Sequence, residues 1–344
     1  MQRGFWSGDI MYDESLLMTA AGRDTVAEAN LLYEPISIVE VRSARHDQVY
    51  EEGRDWVFEE GRLKTTPDSR IPVMTHGQLY PITPEEGKAM PKLGGGHVAY
   101  REGSYFHDRQ IVVTYAHAPG SWEGPVPQYA GKTLKLSIGK LRRGEPLRIV
   151  AYGDSITVGA NASGWSKVPP YAPIWPEQLQ LVLEAHYRAP VTLANRALGG
   201  ANSKWGMENA DQAATECPDL ALIAFGMNDG AGEGMEPDEY ERNIRSIIAS
   251  FRRANPRTEC ILVGTTLANP ESFFQNRQEE YMPVLERIAA DSEGVAAADM
   301  TGVHRELLRK KRFADMTGNN INHPNDFLSR CYAEFTVGML VQAE

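Results

Sequence analysis

The sequence predicts an α/β protein in which a five-stranded parallel sheet, covered by helices on both faces, follows a β-rich amino-terminal part. From residue 147 onward, apolar runs of strand length alternate with longer stretches of helical periodicity, which is the pattern of βαβ units. Before that point, runs rich in Val, Ile, Tyr and Thr lie between Gly and Pro breaks. The length of 344 residues exceeds the usual ~100 to 200 per domain. We therefore expect two domains, residues 1–143 and residues 144–344.

The composition narrows the class of protein. The formal net charge of -11 repels nucleic-acid phosphates and anionic lipid, so we expect no nucleic-acid partner and no membrane partner. Three scattered cysteines are too few for a disulfide framework or a Cys-x-x-Cys metal site. No basic region followed by an apolar stretch, as in an export signal, begins the chain, and a cytoplasmic location is expected. A homo-oligomer is compatible with the sequence.

Strand-like segments dominate the first part. Residues 36–41, 110–115 and 132–138 are each apolar or alternating over strand length, and residues 55–66 predict a hairpin. An antiparallel sandwich or a jelly-roll-like module is the expected object. Gly94-Gly95-Gly96 lacks the strand-loop-helix context of a phosphate loop and is interpreted as a turn.

The second part predicts a three-layer, flavodoxin-like domain. Nearly continuous apolar runs are typical of parallel strands that are buried on both faces. Helical periodicity separates these runs and also closes the chain. The predicted strands are residues 149–152, 191–195, 219–225, 260–264 and 295–299, and the predicted helices are residues 176–187, 238–253, 277–291 and 326–341.

Chemically useful residues follow the predicted strands. In an open parallel sheet, residues just past the carboxyl ends of the strands meet at one crevice. The first strand ends on Gly153-Asp154-Ser155, where glycine permits a sharp turn. The second is followed by Asn195 and Gly199-Gly200, and the third by Gly226-Met227-Asn228-Asp229. Near the last helix comes His323.

These residue types suit acyl transfer to a serine hydroxyl. Such chemistry needs a base for the hydroxyl proton and donors for the oxyanion. His323 is the candidate base, and the N–H groups of Gly200 and Ser155 with the Asn228 amide are candidate donors. Taken singly, each has a structural explanation as a turn, a helix cap or a surface loop. Their joint order at corresponding strand ends favours the catalytic interpretation.

On these segments the chain resembles the SGNH hydrolases of the GDSL lipase and esterase superfamily. Residues 153–155, 195–200, 226–229 and 323–325 resemble its four sequence blocks, and the resemblance extends from about Leu147 to the carboxyl terminus. It implies that Ser155 is the nucleophile, that Gly200 and Asn228 complete the oxyanion hole, and that His323 is the base. These sequence blocks indicate the fold and the mechanism but give little information about the substrate.

One position departs from the superfamily pattern. An Asp usually stands three residues before the histidine, and here the residue is Asn320. A neutral carbonyl can orient an imidazole but cannot stabilise imidazolium through charge. We therefore expect a Ser-His pair oriented by a carbonyl, with Asn320 as first candidate, a nearby backbone carbonyl as second, and Asp326 or Asp299 as third. The alternative is that Asn320 only shapes the loop.

No cofactor is expected. The glycines from Gly226 to Gly234 lack the G-x-G-x-x-G spacing of a dinucleotide site, and no acidic residue ends the following strand. No His-Glu-x-x-His motif or carboxylate cluster indicates a metal. The expected enzyme is a cofactor-free serine carboxylic ester hydrolase that acts through an acyl-enzyme.

The expected substrate is a small acylated molecule, with O-acetyl groups on sugars or oligosaccharides favoured, as in acetylxylan esterases. This follows from a resemblance to two-domain carbohydrate acetylesterases, in which a β-rich part precedes the SGNH domain. Trp165 and Trp205 are candidates for the wall of an acyl pocket or sugar site. Two alternatives stay open: a general short-chain carboxylesterase or thioesterase, and a catalytically weak carbohydrate-binding protein.

Overall fold

The computed structural model describes residues 4–22 and 25–342. Its β-rich part includes the short α-helix α1 (His76–Leu79) and a 3-10 helical turn over His107–Arg109. The strands of this part are β1 (Ile10–Leu17), β2 (Thr19–Ala20), β3 (Glu28–Ala29), β4 (Pro35–Ser43), β5 (Val49–Tyr50), β6 (Trp56–Glu59), β7 (Arg62–Thr65), β8 (Met74–Thr75), β9 (Ala89–Pro91), β10 (His97–Ala99) and β11 (Gln110–His117).

Three sheets make up this part. An antiparallel sheet has the order β1-β11-β4-β5, a second sheet has the order β6-β7-β3-β2-β8, and β9 pairs with β10 in a two-stranded hairpin. The strands predicted over residues 36–41 and 110–115 are confirmed as β4 and β11, and the predicted hairpin is β6 with β7. Because β11 is central in its sheet, it is buried over most of its length.

The second part is the predicted parallel α/β unit. Its five strands have the order β13-β12-β14-β15-β16, and every neighbouring pair is parallel. These strands are β12 (Leu147–Gly153), β13 (Val191–Asn195), β14 (Leu220–Ala224), β15 (Glu259–Val263) and β16 (Val295–Ala298). The helices are α2 (Lys135–Arg142), α3 (Ser155–Val158), α4 (Ser163–Ser166), α5 (Trp175–Tyr187), α6 (Ser203–Ala214), α7 (Pro237–Ala254), α8 (Tyr281–Asp291), α9 (Met300–Leu308), α10 (Phe313–Met316) and α11 (Asp326–Leu340).

Successive side chains of strand β12 pack into two different hydrophobic cores, one on each face of the sheet. Ile149 and Ala151 belong to a core shared with α5 and α11. Val150 and Tyr152 belong to a second core shared with α6, α7 and α8. This alternation is the period of two that places successive side chains on opposite faces of a sheet. It confirms the three-layer prediction. Within the described residues, no helix is long and apolar enough to cross a membrane.

One predicted strand is wrong. The segment predicted as a strand over residues 132–138 instead enters helix α2, which contacts β12 and α5. The Glu259 carboxylate of β15 accepts the backbone N–H groups of Leu136, at 2.9 Å, and Ser137, at 2.8 Å. These bonds satisfy donors that the first turn of a helix leaves free. Because this cap comes from more than a hundred residues away, no local pattern indicates the helix.

The two parts are joined by a shared core and a buried ion pair. Lys311 forms a salt bridge with Glu14 of β1, and both side chains are fully buried. The Lys311 ammonium also donates to the Ser15 carbonyl oxygen at 3.0 Å. A single hydrophobic core contains Leu16 of β1 together with Phe327 of α11. The β-rich part therefore packs directly on the region between α9 and α11.

Candidate active site

Ser155 stands where β12 ends and the short helix α3 begins. A Cβ on Gly153 would lie 2.3 Å from the Ala224 carbonyl oxygen, so only glycine lets the strand end against β14 in this way. The Asp154 carboxylate then accepts the Ile156 N–H at 2.9 Å and caps the helix. These contacts place the Ser155 hydroxyl at the carboxyl edge of the sheet.

The structure brings His323 to this hydroxyl. The His323 Nε2 atom lies 2.8 Å from Ser155 Oγ. Ser155 is 6% exposed and His323 is 9% exposed, so the contact is largely shielded from water. A neutral imidazole whose Nε2 is unprotonated can accept the serine proton at this distance.

Asn161 presents a hydrogen-bond acceptor to the second ring nitrogen of His323. Its Oδ1 lies 2.6 Å from His323 Nδ1. The amide cannot be reversed without loss, because its Nδ2 donates to the Gly103 carbonyl oxygen at 3.0 Å. An acceptor beside Nδ1 holds the proton there and leaves the Nε2 lone pair for Ser155. No sequence motif marks Asn161 as a site residue. Its position in the loop that follows Ser155 is the local feature that could have indicated it.

Asn319 supports the histidine from its own loop. The Asn319 Oδ1 accepts the backbone N–H of His323 at 3.1 Å and those of Ile321 and Asn322 at 3.0 Å each. Because these bonds fix the oxygen, the Nδ2 group faces His323 Nδ1 at 3.0 Å. The same Nδ2 donates to Glu102 Oε1 at 3.2 Å.

Glu102, in the loop between β10 and β11, brings a carboxylate to the histidine. Its Oε2 lies 3.4 Å from His323 Nδ1. Burial acts to raise the pKa of this carboxyl, but His323, Tyr100 and Asn319 outweigh burial and lower the pKa to about 2. Glu102 is therefore ionised at neutral pH. Sequence reasoning missed it because no motif in the β-rich part indicates which side chain reaches the sheet edge.

The sequence-based candidates for orienting His323 lie elsewhere. The Asn320 side-chain amide donates to the Ala99 carbonyl oxygen at 3.0 Å, and the Asn320 carbonyl oxygen accepts from Asn269 at 2.7 Å. With a φ of 64°, Asn320 adopts a left-handed conformation and shapes the loop. The two aspartate candidates, Asp326 and Asp299, cap the backbone N–H groups of Ser163 and Gly302, each at 2.7 Å.

Two of the candidate oxyanion donors, Gly200 and Asn228, lie in or next to the Gly199-Gly200 turn. A Cβ on Gly199 would lie 4.0 Å from the Ser155 Cβ, so the Gly199-Gly200 turn borders the nucleophile. One N–H of the Asn228 amide donates to the Ala201 carbonyl oxygen at 2.8 Å and ties Asn228 to this turn. Among hydrogen bonds of the described residues, none is donated by the Gly200 or Ser155 N–H. Neither N–H group is therefore committed to another acceptor in the part of the chain that the structure describes.

Two buried carboxyls underlie this region. Burial, with a smaller contribution from the charge of the neighbouring Asp229, raises the pKa of Asp154 to about 7. Burial also raises the pKa of Asp229, whose Oδ1 accepts the Ser203 N–H at 2.8 Å. Below pH 7 the Asp154 carboxyl beside Ser155 is mostly neutral. In that form it adds no negative charge that would oppose an oxyanion at Ser155.

The two tryptophans named from sequence differ in surroundings. Trp165, in α4, is 42% exposed and follows Asn161 by four residues. Trp205, in α6, is partly buried and packs against Tyr152 with ring centroids 5.9 Å apart. Of the two, Trp165 presents the more accessible indole surface.

The fold and the residues at its strand ends define the class as esterases of the SGNH type. The model of the GDSL-like lipase/acylhydrolase family matches residues 151–327, just over half of the chain. The chain belongs to this family. A comparison with curated proteins found no match.

Solved structures similar to the chain are esterases of low sequence identity. A two-domain esterase active on acetylated mannans is 19% identical, with a TM-score of 0.49 over 64% of this chain and 58% of that one. The acetylxylan esterase Axe2 from Geobacillus stearothermophilus is 18% identical, with a TM-score of 0.47 over 58% of this chain and 95% of that one. The chain thus matches little more than half the length of the two-domain esterase.

Proposed function

We propose that the chain hydrolyses small esters through an acyl-enzyme formed on Ser155. The Ser155 Oγ attacks the ester carbonyl carbon while its proton passes to His323 Nε2. The resulting imidazolium gives that proton to the leaving alcohol oxygen as the ester bond breaks. Water then donates a proton to His323 and attacks the acyl carbon. His323 returns this proton to Ser155 Oγ as the bond between Oγ and the acyl carbon breaks and the acid is released.

The observation that carries this proposal is the 2.8 Å contact between Ser155 Oγ and His323 Nε2. The Asn161 oxygen on the far side of the ring supports it, because that oxygen selects the tautomer with a free Nε2. Nucleophile, base and orienting group are the three elements that covalent serine catalysis needs.

The oxyanion formed in each step would be bound by the N–H groups of Ser155 and Gly200 and by the Asn228 amide. Two observations support this assignment: the Ser155 and Gly200 N–H groups donate to no other acceptor among the described residues, and a hydrogen bond ties the Asn228 amide to the Gly199-Gly200 turn. Removal of one such donor typically costs ~2.7 to 4 kcal/mol of transition-state stabilisation. The neutral form of Asp154 is compatible with charge accumulating at this position.

For the substrate we propose O-acetyl groups carried by a sugar or an oligosaccharide. The exposed indole of Trp165 supports this choice, because aromatic rings suit the apolar faces of pyranoses. Trp165 follows Asn161, which contacts His323, by four residues along the chain, and we assign its indole to the alcohol side of the site.

The test is acetate release from acetylated xylooligosaccharides by the wild type and by Ser155→Ala, with p-nitrophenyl acetate in parallel. The wild type should release acetate from both, and Ser155→Ala should lose at least about a thousandfold in kcat. Mass spectrometry after treatment with a fluorophosphonate should show one adduct on the wild type and none on the variant.

The remaining outcomes separate the alternatives. Hydrolysis of p-nitrophenyl acetate without any release from the sugar ester would identify a general short-chain esterase. Binding of the oligosaccharide without hydrolysis of either ester would identify a binding protein. Ser155→Ala activity within tenfold of wild type would contradict Ser155 as nucleophile.

A further inference from the structure

A short segment of the β-rich part surrounds the catalytic loop. Residues 99–103, which we call the contact segment, provide the Ala99 carbonyl oxygen that holds the Asn320 amide at 3.0 Å. They also provide the Gly103 carbonyl oxygen that holds the Asn161 amide at 3.0 Å. Between these two backbone contacts lies Glu102, with its carboxylate 3.4 Å from His323 Nδ1. Asn319 also donates to Glu102, so a segment outside the family's matched region contacts four residues of the loops around His323.

We infer that Glu102 of the β-rich part is the acidic positioning residue of His323, in place of the Asp that the family usually carries at the position of Asn320. The inference rests on the proposed function, because it needs His323 to act as the base. The β-rich part would thereby supply the carboxylate that positions the catalytic base.

The charges around Glu102 leave its carboxylate available to the histidine. The Tyr100 phenol donates to Glu102 Oε1 at 2.6 Å without neutralising its charge. The nearest basic residue along the chain, Arg101, lies over the Tyr105 ring, 4.8 Å from its centroid. Among salt bridges of the described residues, Glu102 takes part in one, with His323.

The carboxylate can act when the ring becomes charged. Asn161 accepts the Nδ1 proton in both states, but a neutral amide stabilises imidazolium less than a carboxylate does. At 3.4 Å from Nδ1, the Glu102 charge favours the protonated ring that forms during each proton transfer. The Glu102 side chain is 42% exposed, so solvent screening weakens this contribution relative to a buried Asp.

The test compares Glu102→Gln with Glu86→Gln in the full chain, using kcat and the pH profile of kcat/KM on p-nitrophenyl acetate. Glutamine keeps the size and hydrogen-bonding oxygen of Glu102 but removes the charge. We expect kcat to fall about tenfold to a hundredfold, less than the ~10⁴ seen when a buried protease Asp becomes Asn. The acidic limb of the profile should move to lower pH, because a ring without its carboxylate loses its proton more easily.

Glu86 is exposed in the same part of the chain, and its variant should retain the wild-type rate and profile. Two results for Glu102→Gln would overturn the inference: a kcat within twofold of wild type, or a lower kcat with an unmoved acidic limb. The second would indicate a merely structural role. Failure of the proposed function is distinguishable, since the wild type itself would then neither hydrolyse the ester nor react with a fluorophosphonate.

Discussion

The histidine of this site is oriented mainly by side-chain amides. The Asn161 Oδ1 lies 2.6 Å from Nδ1, and the Asn319 Oδ1 accepts backbone N–H groups of the loop that presents the ring. Both amides have a fixed direction because each has a second set of partners. A neutral orienter selects the tautomer as well as a carboxylate would, and the charge is left to a separate residue.

Asn161→Gly should lower kcat about tenfold to a hundredfold, because His323 loses the acceptor that keeps its proton on Nδ1. Glycine is the chosen replacement since Asn161 has a φ of 68°, which glycine adopts without strain. The measurement is steady-state kinetics on p-nitrophenyl acetate at several pH values.

Asn320→Gly is the matched control, because Asn320 has a similar φ of 64° but directs its amide to Ala99. Its kcat should fall less than that of Asn161→Gly. Equal losses in the two variants would contradict the assignment of Asn161 as the orienter.

At the scale of elements, remote side chains decide where some helices begin. Helix α2 has no side-chain cap of its own, and the buried Glu259 of β15 takes that place. Helix α7 shows the opposite case, since Pro237 begins it and the apolar residues at helical spacing make its buried face. The sequence predicted α7 correctly, because the residues that begin and bury it lie within the helix. It predicted a strand in place of α2, because the carboxylate that caps α2 lies on β15.

Glu259→Ala should lower the free energy of unfolding by about 2 kcal/mol, because the N–H groups of Leu136 and Ser137 lose their acceptor in a buried place. Urea denaturation followed by circular dichroism measures the change. Glu293→Ala is the control at the same helix, since Glu293 pairs with Lys135 and its side chain is 85% exposed.

The control should change the unfolding free energy by less than about 0.5 kcal/mol, as is usual for exposed ion pairs. If both variants lose the same small amount, the Glu259 carboxylate is not the cap that stabilises α2.

At the scale of the whole molecule, the β-rich part and the parallel sheet form one packed unit around the histidine loop. Besides the Glu14–Lys311 pair, the Asp315 carboxylate accepts the Leu17 N–H at 2.8 Å. The Gln110 amide of β11 donates to the Ala314 carbonyl oxygen at 2.8 Å. These contacts fix the region from which the chain continues to His323, so packing between the parts and geometry of the site are linked.

Lys311→Met should lower the free energy of unfolding by about 3 to 5 kcal/mol, because it leaves the Glu14 carboxylate buried without its partner. Thermal and urea unfolding measure the loss. Lys310→Met is the control, since the neighbouring Lys310 is exposed, and this variant should be near wild type.

A double variant separates charge from packing. Adding Glu14→Gln to Lys311→Met removes the uncompensated charge and should recover part of the lost stability. A Lys311→Met variant as stable as Lys310→Met would contradict the role of the pair in holding the two parts together.

Much of the parallel domain was predictable from sequence. Its five strands are nearly continuous apolar runs, and α7 and α11 carry buried faces at helical spacing, so local pattern and final environment agree. The helices α6 and α9 were not predicted. Many of the buried residues in α6 are small, and they mark its inner face weakly in the sequence.

By itself the sequence determined the five parallel strands and several of the helices that cover them. It also placed Ser155 at the end of a strand and His323 just before the last helix. Those features depend on periodicity and on short motifs, which are local properties of the chain. Only the tertiary structure decided which groups face His323 Nδ1, because Asn161 and Glu102 reach it from loops more than 150 residues away along the chain. A hydrogen bond between distant segments depends on how the elements pack, and no local pattern encodes that packing.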